Sequence, residues 1–181
     1  MILKNIKYEK KIFFITILVR LCVLILVMLL STYMEKGFFA SDSSVDDWRY
    51  EEGGYYYSQY ADSLVDTKVF TEAYARLDDN TGYNLGTPFS STPLWYWIVC
   101  TVMYITKTYW AVRILNIIIA GLSSVIIYKF TRWNYGEKVA RLTSKLFVLL
   151  PYPIIFSNFS YKDHMVLLLS LIHISEPTRQ A

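Results

Sequence analysis

Residues 12–34 read IFFITILVRLCVLILVMLLSTYM. A single charge, Arg20, and a few hydroxyls interrupt an otherwise apolar run. At ~1.5 Å of rise per helical residue, such a run is long enough to cross a hydrocarbon core ~30 Å thick. Lys4, Lys7, Lys10 and Lys11 stand before it. The bias of basic residues toward the cytoplasm therefore places residues 1–11 inside the cell and makes 12–34 the first span of a cell-membrane protein. A cleaved signal peptide has a shorter apolar core and a small-residue cleavage site, which Ser31-Thr32-Tyr33-Met34 does not resemble, so the span is retained.

Further apolar runs follow, and they predict an all-α polytopic membrane protein. The chain is 54% hydrophobic, above the ~45–50% of soluble domains. Pro93 to Thr106 is apolar but short. Trp110 to Phe130 reads as a full span, Val139 to Phe156 as another with Pro151 and Pro153 near its end, and Met165 to Ile174 as a last, shorter helix. Both cysteines, Cys22 and Cys100, lie in apolar runs without a metal-ligand or redox spacing, which predicts two buried thiols. Residues 93–170 thus form a set of membrane-embedded helices. The tail, Leu171 to Ala181, resembles a peptide translated from a sequencing adapter. It is set aside as a non-native end of a truncated chain.

Charge divides the chain. Glu35 to Asp79 holds eleven acids and four bases, a balance of −7, while the rest carries +10. The split predicts a large acidic loop, residues 35–92, outside the cytoplasm. No base cluster on a soluble face suggests nucleic acid. Within the loop, Ser44 and Asp47 have capping-box spacing, Gly53-Gly54 should break the helix they start, and Tyr55 to Val65 should form a second, interfacial helix with Tyr56, Tyr60 and Leu64 on one face. Asp78 to Ser91 is turn-rich. The basic link holding Lys129, Arg132, Lys138, Arg141 and Lys145 should be cytoplasmic. That parity requires Pro93 to Thr106 to dip into the membrane without crossing it; if the segment crosses, the basic link is external and the charge bias is violated.

The order of several weak motifs resembles the C-type polyprenyl-phosphate-dependent glycosyltransferases, in particular the protein mannosyltransferase and aminoarabinose transferase group. Asp46-Asp47-x-x-Tyr50 and Tyr60-Ala61 stand where that group has its acidic loop motif. Thr92-Pro93-Leu94-Trp95-Tyr96-Trp97 closes the loop. Arg113-Ile114-Leu115-Asn116 opens the next long helix, and Pro151 followed by Tyr161-Lys162-Asp163 ends the following one. The likeness spans about residues 12–170. A histidine or lysine and a second proline expected before Pro93 are replaced by Ser91-Thr92.

The resemblance implies transfer of a sugar from a polyprenyl-phosphate donor to a glycan, lipid or protein acceptor outside the cytoplasm, by a chain that is inactive as a fragment. Such chemistry needs a base for the acceptor's proton and cations for the leaving phosphate. Asp46 or Asp47 is the candidate base, with Asp46 favoured because Asp47 better completes the capping box. A helix cap is the alternative for both, and a carboxylate there could instead hold a divalent cation. Arg49, Arg113 and Lys162 are candidates for the phosphate, or interfacial anchors for their helices. Tyr50 and Asp163 complete the expected substrate-binding set. Arg20, inside a span, should face other helices or an anionic partner. The tyrosines from Tyr50 to Tyr60 suit either sugar stacking or an interfacial aromatic belt. His164 and His173 make no metal site. The rival reading is a non-catalytic membrane protein, a transporter subunit or envelope assembly factor. A transporter calls for polar residues in mid-span on several helices.

Overall fold

The computed structural model describes residues 2–33, 46–79 and 93–175. Its regular elements there are α1 (Ile2–Tyr33), α2 (Asp46–Tyr60), α3 (Thr67–Asp79), α4 (Pro93–Thr106), α5 (Trp110–Tyr135), α6 (Glu137–Leu149), α7 (Pro151–Ser157) and α8 (Asp163–Ser175). They fall into two compact units, Met1–Met28 with Leu115–Ala181, and Leu29–Ile114.

In the first unit α1 and α5 run antiparallel. Tyr8 lies against Tyr128 with ring centroids 4.8 Å apart. Glu9 pairs with Lys129 at 3.1 Å, and the Thr16 and Ser124 hydroxyls are 3.1 Å apart. A Cβ at Gly121 would meet the Phe13 ring at 3.0 Å and Ile17 at 3.2 Å, so glycine there permits the close approach. The α6 helix runs parallel to α1, with the Tyr8 hydroxyl 3.1 Å from that of Ser144. The N-terminal ends of α1 and α6 and the C-terminal end of α5 therefore share one end of this unit. Glu137 pairs there with Arg132 at 3.1 Å and Arg141 at 2.6 Å. At the opposite end the Asn116 amide donates to the carbonyls of Phe159 (2.6 Å) and Tyr161 (2.9 Å), fixing the turn before α8.

Among the described residues two helices, α1 and α5, are long and apolar enough to cross a membrane. The expected span Val139 to Phe156 is two helices meeting at a 54° bend, together long and apolar enough for one broken span or a re-entrant loop. Pro151 is the cause. It occupies the start of α7, and Leu150 before it is extended at φ −63, ψ 128, as a residue preceding proline prefers. Cys100 is buried, whereas Cys22 is exposed on the outer face of α1, contrary to the expectation of two buried thiols.

In the second unit the expected break at Gly53-Gly54 is absent, and α2 passes through both glycines to Tyr60. A Cβ at Gly53 would overlap the Tyr96 hydroxyl, and one at Gly54 would come within 2.9 Å of Val99 Cγ1. The glycines serve a close contact with α4 rather than a turn. The expected helix Tyr55 to Val65 is cut short: Tyr55 to Tyr60 form the end of α2, residues 61–65 are not helical, and the next helix starts at Thr67. Asp66 explains the restart, because its Oδ1 accepts the Val69 N–H at 3.0 Å as an N-cap. Phe70, Ala73 and Tyr74 form the buried face of α3, and Phe70 stacks on Trp97 of α4 at 3.9 Å and 7°. Pro93–Thr106 is helical with the expected bounds. Ser44 and the turn-rich residues 80–91 lie outside the described residues.

Gly53→Ala tests the glycine contact. Alanine should gain about 1 kcal/mol of helix propensity, yet the substitution should lower the melting temperature in detergent because Tyr96 is fully buried and its ring has nowhere to move. Adding Tyr96→Phe, which removes the overlapped oxygen, should recover part of the loss.

Candidate functional site

The acidic pair opens α2: Asp46 and Asp47 are its first two residues. Their backbone is helical, and the side chains of Asp46, Asp47 and Arg49 lie outside the described residues. Tyr50, one turn on, is buried with its ring 6.4 Å from that of Tyr96.

Glu51 follows, and it holds Arg113. Arg113 Nε donates to Glu51 Oε1 at 2.7 Å and Nη2 to Oε2 at 3.1 Å. The side chains are only 10% and 14% exposed. The Trp110 and Tyr109 rings lie 5.3 and 5.6 Å from the guanidinium. This is the bidentate, charge-assisted geometry that arginine forms best. It joins the first turn of α5 to the first turns of α2. Two further contacts hold the far end of α2: the Lys107 ammonium donates to the Ser58 carbonyl, and the Tyr104 hydroxyl to that of Asp62 at 3.4 Å. Arg113, read in the sequence as a phosphate ligand, is thus engaged by a carboxylate 62 positions away. Glu51 was not among the expected site residues, and no local pattern distinguishes it from Glu52.

A cleft of about 460 Å³ opens beside α2, lined by Glu52, Tyr55, Tyr56, Gln59 and Tyr60 with Ala73 of α3. The Tyr56 and Tyr60 rings are 4.5 Å apart at 34°. Flat aromatic faces beside a carboxylate and an amide offer both stacking and hydrogen bonding. Tyr57 faces the other way, into the core. It accepts the Asp66 N–H at 2.9 Å and donates to the Ser63 carbonyl at 3.2 Å. Burial raises its phenol above the ordinary range, so it remains a donor.

Lys162 and Asp163 belong to the first unit, in and just after the turn that Asn116 fixes. Lys162 is half-buried, and Asp163 is exposed as the first residue of α8, where a carboxylate complements the helix dipole. His164 is buried and contacts the Pro153 carbonyl through Nε2 at 2.9 Å. No group of three metal-ligating side chains gathers among the described residues.

Arg20 is fully buried in the first unit. It lies 5.3 Å from the centroid of the Phe147 ring, and its Nη1 is 3.4 Å from the Thr16 carbonyl. Its Nε and Nη2 have no hydrogen-bond partner among the described residues. Thr16, Ser123, Ser124 and Ser144 are buried along the same helices. Compared with protein families, curated proteins and solved structures, the chain matches none.

Removing one partner of a buried ion pair leaves the other charge uncompensated, at a cost of about 3–5 kcal/mol. Glu51→Gln and Arg113→Met should each destabilise the second unit by an amount approaching that, read by denaturant unfolding in micelles. The double variant should cost less than the sum of the two. Additive losses would show that the pair is not coupled. Arg20→Met should leave the melting temperature unchanged or raise it, because it removes an unbalanced buried charge at similar volume. A large drop would show that Arg20 is paired in the membrane.

Proposed function

We propose that this chain is the N-terminal part of a membrane glycosyltransferase that moves a sugar from a polyprenyl-phosphate donor to an acceptor outside the cytoplasm. The observation that carries the reading is the Glu51–Arg113 pair. It ties the helix beginning Asp46-Asp47 to the first turn of α5, a helix long enough to span. A carboxylate held at a water–membrane boundary is placed to meet both a water-borne acceptor and a lipid-borne donor. Asp46, or its neighbour Asp47, takes the acceptor's hydroxyl proton as the oxygen attacks the sugar's anomeric carbon. The bond to the lipid phosphate breaks, and that phosphate leaves with the electron pair. Arg49, two residues after Asp47 in the same helix, is the cation proposed to stabilise the departing charge. Arg113 acts through Glu51 as a positioning residue. The tyrosine cleft beside α2 supplies a stacking surface for a sugar ring.

The topology follows the same reading, with the N-terminus cytoplasmic. Lys7, Lys10 and Lys11 of α1 lie at the same end of the first unit as Lys129, Arg132, Lys138 and Arg141, which supports one cytoplasmic face for all of them. Because α1 and α5 are antiparallel, the chain leaves α1 and enters α5 at one end. The fourteen-residue α4 then dips into the bilayer and returns.

A second reading, a non-catalytic transporter subunit, is favoured by one observation. Thr16, Arg20, Ser123, Ser124 and Ser144 put buried polar groups well inside three helices. Transporters carry such groups in mid-membrane.

The acidic pair decides between them. In membranes carrying the full gene product, Asp46→Asn should reduce sugar transfer from a polyprenyl-phosphate donor by about 10²–10⁴-fold, the worth of general-base catalysis, with insertion unchanged. Asp47→Asn should cost far less, about the 1 kcal/mol of a helix cap. Near-normal transfer by both variants would remove the transferase reading and leave the transporter.

A further inference from the structure

In the first unit a groove of about 270 Å³ runs between α1 and α6, lined by Tyr8, Lys11, Ile12, Ile15, Lys145, Val148 and Leu149. Its chemistry is sharply divided. The parallel course of the two helices sets Lys11 and Lys145 toward the basic end, and Ile15, Val148 and Leu149 extend from them toward the middle of the unit. Tyr8, at the mouth, is held by Ser144 at 3.1 Å and lies under the Arg141 guanidinium at 5.0 Å.

Lys11 and Lys145 are both exposed and form no ion pair among the described residues. The carboxylates described at this end are committed elsewhere: Glu9 to Lys129, and Glu137 to Arg132 and Arg141. Two uncommitted ammonium groups thus stand at the head of an apolar channel, on the flank of a helix that spans. The geometry points to a bound anionic phospholipid of the leaflet at the basic end, its phosphate between Lys11 and Lys145 and an acyl chain along Ile12, Ile15, Val148 and Leu149. Lysine ammonium groups at the interface attract acidic headgroups, their stems cover apolar surface, and the channel below accepts the tail. The site is independent of the acidic pair and of the transferase reading.

The test is lipid retention by the full 181-residue chain, purified from nanodiscs holding equal amounts of phosphatidylglycerol and phosphatidylcholine with identical acyl chains, and read by native mass spectrometry. Wild type should retain phosphatidylglycerol preferentially. At about fivefold per interfacial lysine, Lys11→Gln with Lys145→Gln should erase most of a preference of about twenty-five-fold, whereas Lys11→Arg with Lys145→Arg should keep it. Ile15→Trp, which fills the channel and leaves both charges, should reduce retention of either lipid. The arginine pair and Ile15→Trp control for folding, since both leave the charge intact. Equal retention of the two lipids by wild type would overturn the proposal, as would a preference that survives the glutamine pair. A dimer of the chain that Ile15→Trp disrupts would overturn it too, showing a second copy in the groove.

Discussion

A helix in hydrocarbon has no water to satisfy its polar groups, so each must find its partner within the protein. Apart from Arg20 and the amide oxygens of Asn116 and Asn158, the first unit meets this constraint in two ways. Its buried hydroxyls turn back on their own helices: Thr16 to the Ile12 carbonyl (2.7 Å), Ser123 to that of Ile119 (3.0 Å), Ser124 to that of Gly121 (2.6 Å) and Ser144 to that of Arg141 (3.2 Å). A hydroxyl bonded this way exposes mainly its methylene or methyl, and α1 can pack against α5 across it. Asn116 does the opposite. Its amide reaches out of α5 to two carbonyls of the irregular stretch after α7, where helical partners have run out. An amide from α5 thus holds the irregular stretch between α7 and α8.

The second unit depends on rings. Phe70, Trp97, Tyr74 and Tyr96 pack in successive contact, and Tyr57 joins them edge-on while its hydroxyl organises the turn before α3. These side chains bring large apolar area and fixed geometry at small entropic cost. The glycines of α2 let that helix lie close to α4. The Glu51–Arg113 pair then determines where along its length α2 meets the start of α5. Hydrophobic packing alone would tolerate a slide by one turn; a bidentate ion pair would not.

Periodicity and run length carried most of the helices. Pro93–Thr106 matches its apolar run, α5 and α8 lie on theirs with ends a few residues longer, and α1 begins at Ile2, ten residues before the apolar run, so that its first turns carry the lysines. What failed was local chemistry overruled by neighbours. Gly53-Gly54 looks like a helix break because glycine is a weak helix former, yet the space it leaves is filled by Tyr96 and Met103, which no local reading detects. The apparent amphipathic run past Tyr60 is not helical, and Asp66 caps the helix that follows it. Pro151 was visible as a breaker, but its 54° bend depends on where the preceding helix stopped. For the site, the residue types were legible and the pairings were not: Glu51 and Arg113 lie 62 residues apart, and nothing near either names the other.

The cations of the chain now separate by environment, and the separation bears on how a lipid phosphate would be handled. A group that must hold a phosphate in one step and release it in the next cannot already be saturated by a carboxylate. Arg113 is saturated, with both a fork of hydrogen bonds and two aromatic neighbours. Arg132 and Arg141 share Glu137. Arg20 has unfilled donors, but it is fully enclosed by the bundle, so an anion could reach it only if helices part. Lys162 meets both requirements, being partly exposed and carried on a turn that Asn116 makes rigid. Its ammonium is a compact charge on a flexible stem, which binds phosphate without the fixed geometry of a guanidinium. Of the two described residues expected to hold phosphate, Arg113 is thus committed to its own unit's scaffold through a carboxylate, whereas Lys162, in the first unit, keeps the exposure and the mobile charge that a phosphate ligand needs.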